Sequence, residues 1–327
     1  GSVKSPLIRI AKRSDMPRWK GWIIRLIAVL LALVVDGLII FAIVKLNPVA
    51  VYKTMFAGAF GTTRRSWASI REAVLLLSIG IGLAPAFKMK FWNLGAEGQI
   101  LLGGIATAGC MICFGGKIPN WLLILVMALA SIAAGAIWGL IPAIAKARWD
   151  TNESLFTLML NYIALAFVKY LMNGPWKAPG SSYPKIAMLA PGARLTKVLG
   201  VHWGWILALV LVVVSYVYIT RTKQGYEIAV VGESANTARY AGIRVGRVMC
   251  RTMFLSGALC GLVGMLQFAG ADYTLTEGTA GGVGFTAITV AWLSKMNPFG
   301  MLVVSVFIAM LERGSNTIQT NFKIPAS

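Results

Sequence analysis

The chain has 327 residues, of which 57% are hydrophobic and 13% charged, and its mean hydropathy of +0.74 lies far above that of a soluble globular protein. Its 31 Lys and Arg against 11 Asp and Glu leave a formal charge of +20, but the basic residues flank apolar runs instead of gathering on one polar domain, which argues for lipid headgroups and against nucleic acid. The composition excludes a soluble fold and predicts an all-α polytopic membrane protein of about 8–10 transmembrane helices, with discontinuous or re-entrant segments.

In chain order, residues 1–20 form a basic tail carrying Lys4, Arg9, Lys12, Arg13, Arg18 and Lys20, read as cytoplasmic. The membrane domain is 21–327. Its first apolar run, 21–46, is too long for a secretory signal and no small-residue cleavage site follows, so it is a retained span. A span needs about 20 residues at ~1.5 Å each, and further runs lie at 73–87 (short), 91–114, 121–143, 154–172, 203–220, 249–270 and 298–311. The run 285–293 is too short to cross and reads as a half-helix or re-entrant element. With a cytoplasmic N-terminus, alternation places Lys88, Lys90, Lys146, Arg148, Arg221, Lys223, Arg239, Arg244, Arg247 and Arg251 inside. The outer loops carry fewer basic residues, and the 47–72 loop, with Lys53, Arg64, Arg65 and Arg71, fits the bias least.

Most catalytic chemistries lack their parts. No phosphate-cradling G-x-x-x-x-G-K-[ST] motif occurs, and Gly116-Lys117 is followed by Ile118. The single histidine, His202, stands beside Trp203 and Trp205 at the mouth of a span and is expected to be interfacial. Cys110, Cys113, Cys250 and Cys260 sit in or beside apolar spans. The Cys110-x-x-Cys113 pair has neither a second pair nor a nearby histidine to complete a metal site, so the four read as buried small apolar residues.

Four constellations carry functional potential. Asn93-Leu94-Gly95-Ala96-Glu97-Gly98-Gln99 puts a carboxylate and two amides into an apolar segment, where an unpaired carboxylate costs several kcal/mol. Glu97 is therefore paired or faces a polar cavity, and Asn93 can at the same time cap the helix. Asp150 and Glu153 have capping-box spacing, while Asn161 and Tyr162 lie about two turns into the following span and need partners, either across helices or along a pathway. The cytoplasmic loop 221–248 holds a short helix with Ser234 as N-cap, small residues Ala235, Ala238 and Ala241, and Gly242 at its end, suited to a partner's groove. The glycine-rich stretch Gly278 to Gly284 leads through Phe285 into the half-helix, a pattern shared by cavity-lining broken helices and plain outer loops.

These motifs also carry a resemblance. Asn93 to Gln99, Thr157 to Ile163, Gly232-Glu233 through Arg239-Tyr240-Ala241-Gly242-Ile243, and Gly282 to Phe285 with Asn297-Pro298 occur in the order seen in bacterial ABC importer permeases for nucleosides and simple sugars, over roughly residues 21–325. N-L-G-A-E-G-Q, where ribose-type relatives carry a D-L-S-V-G-like motif, places the chain in the nucleoside-type branch. The resemblance implies about ten membrane helices around a translocation path, a second identical or homologous permease at a pseudo-two-fold axis, and an extracytoplasmic substrate-binding lipoprotein meeting outer loops such as 173–202. It implies location in the bacterial cytoplasmic membrane and a final apolar segment after Ile324-Pro325-Ala326-Ser327. It further implies that 233–242 is the coupling helix, with Gly232, Glu233, Ser234, Asn236, Arg239, Tyr240 and Gly242 facing an ATPase subunit. Here Ser234 and Ala235 depart from the usual Asn and Pro. The chain itself binds no cofactor, and ATP and Mg belong to that ATPase.

On this reading Asn93, Glu97, Gln99, Asn161, Tyr162 and Phe285 are the substrate-pathway candidates, and the cargo is a nucleoside, a simple sugar or a riboflavin-like vitamin. The competing class is a proton-coupled carrier using Asp36, Glu97 or Glu312. It lacks repeated intramembrane carboxylates and does not account for the coupling-like helix. A membrane scaffold, the third class, leaves the buried polar groups without a purpose.

Overall fold

The computed structural model describes residues 17–323; residues 1–16 of the basic tail and 324–327, where a further segment is expected, lie outside that range. Along it run α1 (Arg18–Ile39, extended by a π-helical stretch Ile40–Val44), α2 (Pro48–Phe60), α3 (Thr63–Lys88), α4 (Ala96–Phe114), α5 (Asn120–Trp149) and α6 (Glu153–Asn173). Then follow α7 (Gly204–Arg221), α8 (Lys223–Glu233), α9 (Ala235–Tyr240), α10 (Val245–Met265, extended by a π-helical stretch Leu266–Asp272), α11 (Val283–Leu293) and α12 (Pro298–Phe322). Eight of these helices are long and apolar enough to cross a bilayer, and α11 is the short apolar piece expected from its sequence. The all-α polytopic architecture is therefore as read from composition.

Element boundaries differ where charge interrupts a hydropathy run. The short 73–87 run is the second half of α3, which begins at Thr63 and carries Arg71 and Glu72 within it. The 298–311 run continues to Phe322 through the polar sequence after Leu311. The 47–72 loop contains all of α2, capped by Asn47, whose Oδ1 accepts from the Val49 N–H at 3.0 Å. Hydropathy measures affinity for lipid, whereas a helix shielded by its neighbours tolerates charges that lipid does not. The polar connection 221–248 likewise holds two helices, α8 and α9. Asp150 does not cap α6: Asn152 does, accepting from the Leu155 N–H at 3.1 Å, while Asp150 ends α5 in a left-handed conformation and pairs with Lys146 at 2.8 Å.

Glycines set the close packing of the centre. A Cβ on Gly135 would overlap the Gly257 carbonyl, and one on Gly261 would overlap the Ser131 carbonyl, so α5 and α10 meet backbone to backbone through Gly135-x-x-x-Gly139 and Gly257-x-x-x-Gly261. Gly264 of α10 meets the Ile100 carbonyl of α4 in the same way. α3 runs through the middle, with 83% of its apolar window buried, whereas α1 has only 6% buried and presents apolar side chains nearly all round, as expected of a lipid-facing helix.

Two small antiparallel pairs shape the 174–203 connection. β1 (Ile186–Ala187) pairs with β4 (Thr274–Leu275), and β2 (Lys197–Val198) with β3 (Val201–His202). His202 is buried here and not interfacial as expected; its Nδ1 accepts from the Gly204 N–H at 3.2 Å. Burial, with the nearby positive charge of Arg71, pushes its pKa down to about 4. Of the cysteines, only Cys260 is fully buried, and Cys113 is exposed, contrary to the expectation for all four.

Candidate functional site

The N-L-G-A-E-G-Q segment does not continue a helix. Residues 91–95 are non-helical, and α4 begins at Ala96 with Gly95, not Asn93, at the N-cap. Asn93 is fully buried. Its Oδ1 accepts from the Gly95 N–H at 3.0 Å and from Gln99 Nε2 at 3.3 Å, and its Nδ2 donates to Ser256 Oγ of α10 at 3.1 Å. Across the junction α6 supplies Asn161, whose Oδ1 accepts from the Gly98 N–H and whose Nδ2 donates to the Leu94 carbonyl, both at 2.8 Å. Thr157, one turn earlier on α6, accepts from the Leu94 N–H at 3.2 Å. The free backbone groups of a helix start are thus answered by side chains from a neighbouring helix, as a lipid environment demands. The Trp138 indole N–H lies against this junction without a hydrogen-bond partner among the described residues.

Glu97 reaches the other way. Its Oε1 accepts from the Gly284 N–H at 2.7 Å, so one carboxylate lies in the first turn of α4 and at the start of α11 together. Two positive helix ends share one negative charge. Gly284 permits the approach, since a Cβ there would stand 2.9 Å from the Glu97 nitrogen, and Gly281 and Gly282 turn the chain into α11 with φ of +58° and +85°.

The outer face of α11 carries Phe285, Thr289 and Trp292 at i, i+4 and i+7, all exposed. Trp292 stacks on Trp92 at 5.4 Å between ring centroids, and both rings lie 5.9 Å from Phe87. Of the pathway candidates, the fold brings Asn93, Gln99 and Asn161 together and sets Glu97 one contact away at α11. It leaves Phe285 on the exposed face of that helix. Tyr162 is not among them: next to Asn161 on a helix that turns ~100° per residue, it points outward and is 67% exposed.

At this same C-terminal end of α3, Gly232 packs on the Lys88 carbonyl, and α8 is tied to α10 by the Glu227–Arg251 ion pair at 2.9 Å. Ser234 then caps α9, accepting from the Thr237 N–H at 3.2 Å, and Gly242 ends the turn with φ +77°. Ala238 is fully buried against the bundle, while Glu233, Asn236, Arg239 and Tyr240 project outward, Tyr240 being 94% exposed. Arg239 donates to Asn236 Oδ1 at 3.5 Å. The result is a knob anchored on its inner side and bare on its outer side.

Residues 66–326 match the family described as branched-chain amino acid transport system / permease component. The chain belongs to that family. Similar proteins include a glucose ABC transporter permease protein of Haloferax volcanii, 32% identical over 98% of this chain and 87% of its own length. A guanosine ABC transporter permease protein of Bacillus subtilis is 28% identical over 93% of this chain and 88% of its own length, and a nucleoside ABC transporter permease protein of Lactococcus lactis subsp. cremoris is 28% identical over 92% and 86%. As a member of this permease family, the chain is a multi-pass membrane subunit.

Sequence reading missed Ser256, Thr157 and Trp138 at the junction and Trp92 with Trp292 at the foot of α11. Ser256 lies 163 residues from Asn93, and no local pattern pairs them. The glycine spacing of α5 and α10 was the one available signal that these helices meet.

Proposed function

We propose that this chain is the membrane-spanning permease subunit of an ATP-driven ABC importer that carries nucleosides across the cytoplasmic membrane, with its N-terminus inside. A simple sugar is the second reading, favoured by the glucose permease relative. The observation that carries the proposal is the α9 knob: a buried Ala238 holds it to the bundle while Tyr240, Arg239 and Asn236 stand free for a partner. A partner ATPase binds ATP and Mg and pushes on α9. α8, seated on the end of α3 and paired to α10, passes the displacement to the glycine-packed centre. A second permease completes the path, and an extracytoplasmic binding protein delivers solute to the 174–203 connection. Asn93, Gln99 and Asn161 hold the broken start of α4, Glu97 joins it to α11, and Phe285 with Thr289 faces the passage, where an aromatic ring and a hydroxyl suit a base or a sugar ring.

The test is uptake by proteoliposomes holding this chain with its ATPase, partner permease and binding protein. Nucleoside uptake should need ATP and should fall to background in Tyr240→Ala combined with Arg239→Ala, although the complex remains folded. Gradient-driven uptake by the chain alone would overturn the proposal and return attention to Asp36, Glu97 and Glu312.

A further inference from the structure

The Cys110-x-x-Cys113 pair has no part in the importer reading. It lies in the last turns of α4, and both thiols are free, Cys110 half-buried and Cys113 exposed. Residues three apart on a helix share a face. The ~1.5 Å rise and ~2.3 Å radius of a helix set their Cα atoms about 5 Å apart, inside the window of roughly 4.4–6.8 Å that a disulfide needs. Neither of the other cysteines competes: Cys250 stands near the start of α10, and Cys260 is fully buried in its middle.

The surroundings favour both closure and reopening. α4 stops at Phe114, one residue beyond the pair, and the chain turns away through Gly115 and Gly116, the latter at φ +75°. No further turn of helix holds the pair at regular spacing, so this end can tighten to bring the sulfurs together. A bridge that tightens a helical turn is strained, and strained, exposed disulfides are the readily reduced ones. Lys117 folds back, its Nζ donating to the Cys113 carbonyl at 2.8 Å, which marks this end of α4 as the level of water. α4 starts just after the end of α3 on which α8 is seated, and Cys113 lies about 24 Å further along it than Glu97 at ~1.5 Å per residue, on the face away from α9. The 174–203 connection rests on the same turns. A Cβ on Gly109 would stand 3.2 Å from the Trp176 ring, and one on Gly115 would stand 3.1 Å from the Ala190 Cβ.

We propose that Cys110 and Cys113 are a redox modification site: a reversible disulfide, made by low-molecular-weight disulfides at the outer face, that sets how α4 seats the 174–203 connection. The exposed Cys113 thiolate attacks one sulfur of the external disulfide, forming a mixed disulfide and expelling one thiolate. The Cys110 thiolate then attacks Cys113 Sγ, closing the bridge and expelling the second. Two protein thiols are oxidised, one external disulfide is reduced to two thiols, and the two thiol protons pass through water to the expelled thiolates. Placement at the outer face and the effect on uptake rest on the importer reading.

The experiment uses right-side-out membrane vesicles holding the assembled transporter. They are treated with glutathione disulfide, which does not cross the membrane, and free thiols are capped with N-ethylmaleimide after denaturation. Peptide mapping should show the peptide holding Cys110 and Cys113 short of two hydrogens and without maleimide, and dithiothreitol should restore capping at both. Cys110→Ser should stop at a glutathione adduct on Cys113, whereas Cys113→Ser should form an adduct on the half-buried Cys110 roughly tenfold more slowly. Oxidised vesicles should take up solute several-fold more slowly than reduced ones, and Cys113→Ser should abolish that difference. A stable glutathione adduct on the wild-type chain, or capping of both thiols after oxidation in vesicles and in detergent alike, would overturn the bridge. Bridging in detergent alone would overturn the outer placement, and bridging with unchanged uptake would overturn the control of the connection. Because mapping needs neither ATP nor solute, loss of ATP-driven uptake in the reduced wild-type complex would count against the importer reading alone.

Discussion

The start of α4 and the end of α12 both set amides and a carboxylate into helices of an apolar chain, and the fold treats them in opposite ways. At α4, Asn93, Gln99 and Asn161 bond to one another, to Ser256 and to the backbone of Leu94, Gly95 and Gly98, and Glu97 is held by Gly284. At α12, Glu312, Asn316 and Gln319 lie on a line of the helix where their side chains have no hydrogen-bond or ion-pair partner among the described residues. Polar side chains in membrane sequence therefore divide into those that complete a broken backbone and those left free for water or solute, and only partners in space tell the two apart.

Substitutions can break this contrast at graded strength. The largest effect should come from Gly257→Leu, which drives a side chain into the Gly135 backbone and removes the packing that brings Ser256 to Asn93. We expect no monodisperse folded protein in size-exclusion chromatography, a penalty beyond about 3 kcal/mol. Asn161→Leu strands the Gly98 N–H and the Leu94 carbonyl and should lower stability by about 2–4 kcal/mol. The neighbouring Tyr162→Leu should change it by less than ~0.5 kcal/mol, and thermal unfolding in one detergent decides between equal and unequal shifts.

His202 adds a pH test. The unfolded chain takes up its proton below the ordinary value of 6.5 and the folded chain only near 4, so stability is full above pH 6.5 and falls as pH drops toward 4. The loss is up to about 3 kcal/mol. His202→Gln should flatten that part of the melting-temperature profile, and an unchanged slope would show that His202 is not the buried neutral group described. Glu97→Gln keeps an acceptor for Gly284 and should cost about 1 kcal/mol, roughly half the effect of Glu97→Leu. The smallest shift, under ~0.5 kcal/mol, belongs to Asn316→Leu: if it melts like Asn161→Leu, that line of α12 is structural after all.

Much of the architecture was legible in order along the chain. The apolar runs, the break before α4, the half-helix at α11 and the Ser234 cap with its Gly242 stop all follow from local composition and spacing, because each depends on lipid burial or on backbone groups a few residues away. Local rules erred where a neighbour supplied what the sequence lacked. α3 holds Arg71 and Glu72 because other helices shield it, α6 is capped by Asn152 while Asp150 pairs with Lys146, and His202 is buried because its hairpin packs it against Gly270 at the end of α10.

By itself, then, the sequence determined a polytopic helical membrane protein of this permease family, the order of its apolar runs, and the stretches where polar chemistry enters the membrane. Tertiary structure alone decided which of those polar groups are satisfied. The inter-helix partners of Asn93, Glu97 and Asn161 lie 163, 187 and 63 to 67 residues away, and which side of α12 is covered is defined only by where α2 and α3 pack. A buried polar group in lipid escapes its desolvation cost only if the far partner arrives, and which residues the glycine-to-backbone contacts between helices bring opposite one another is set by the packing.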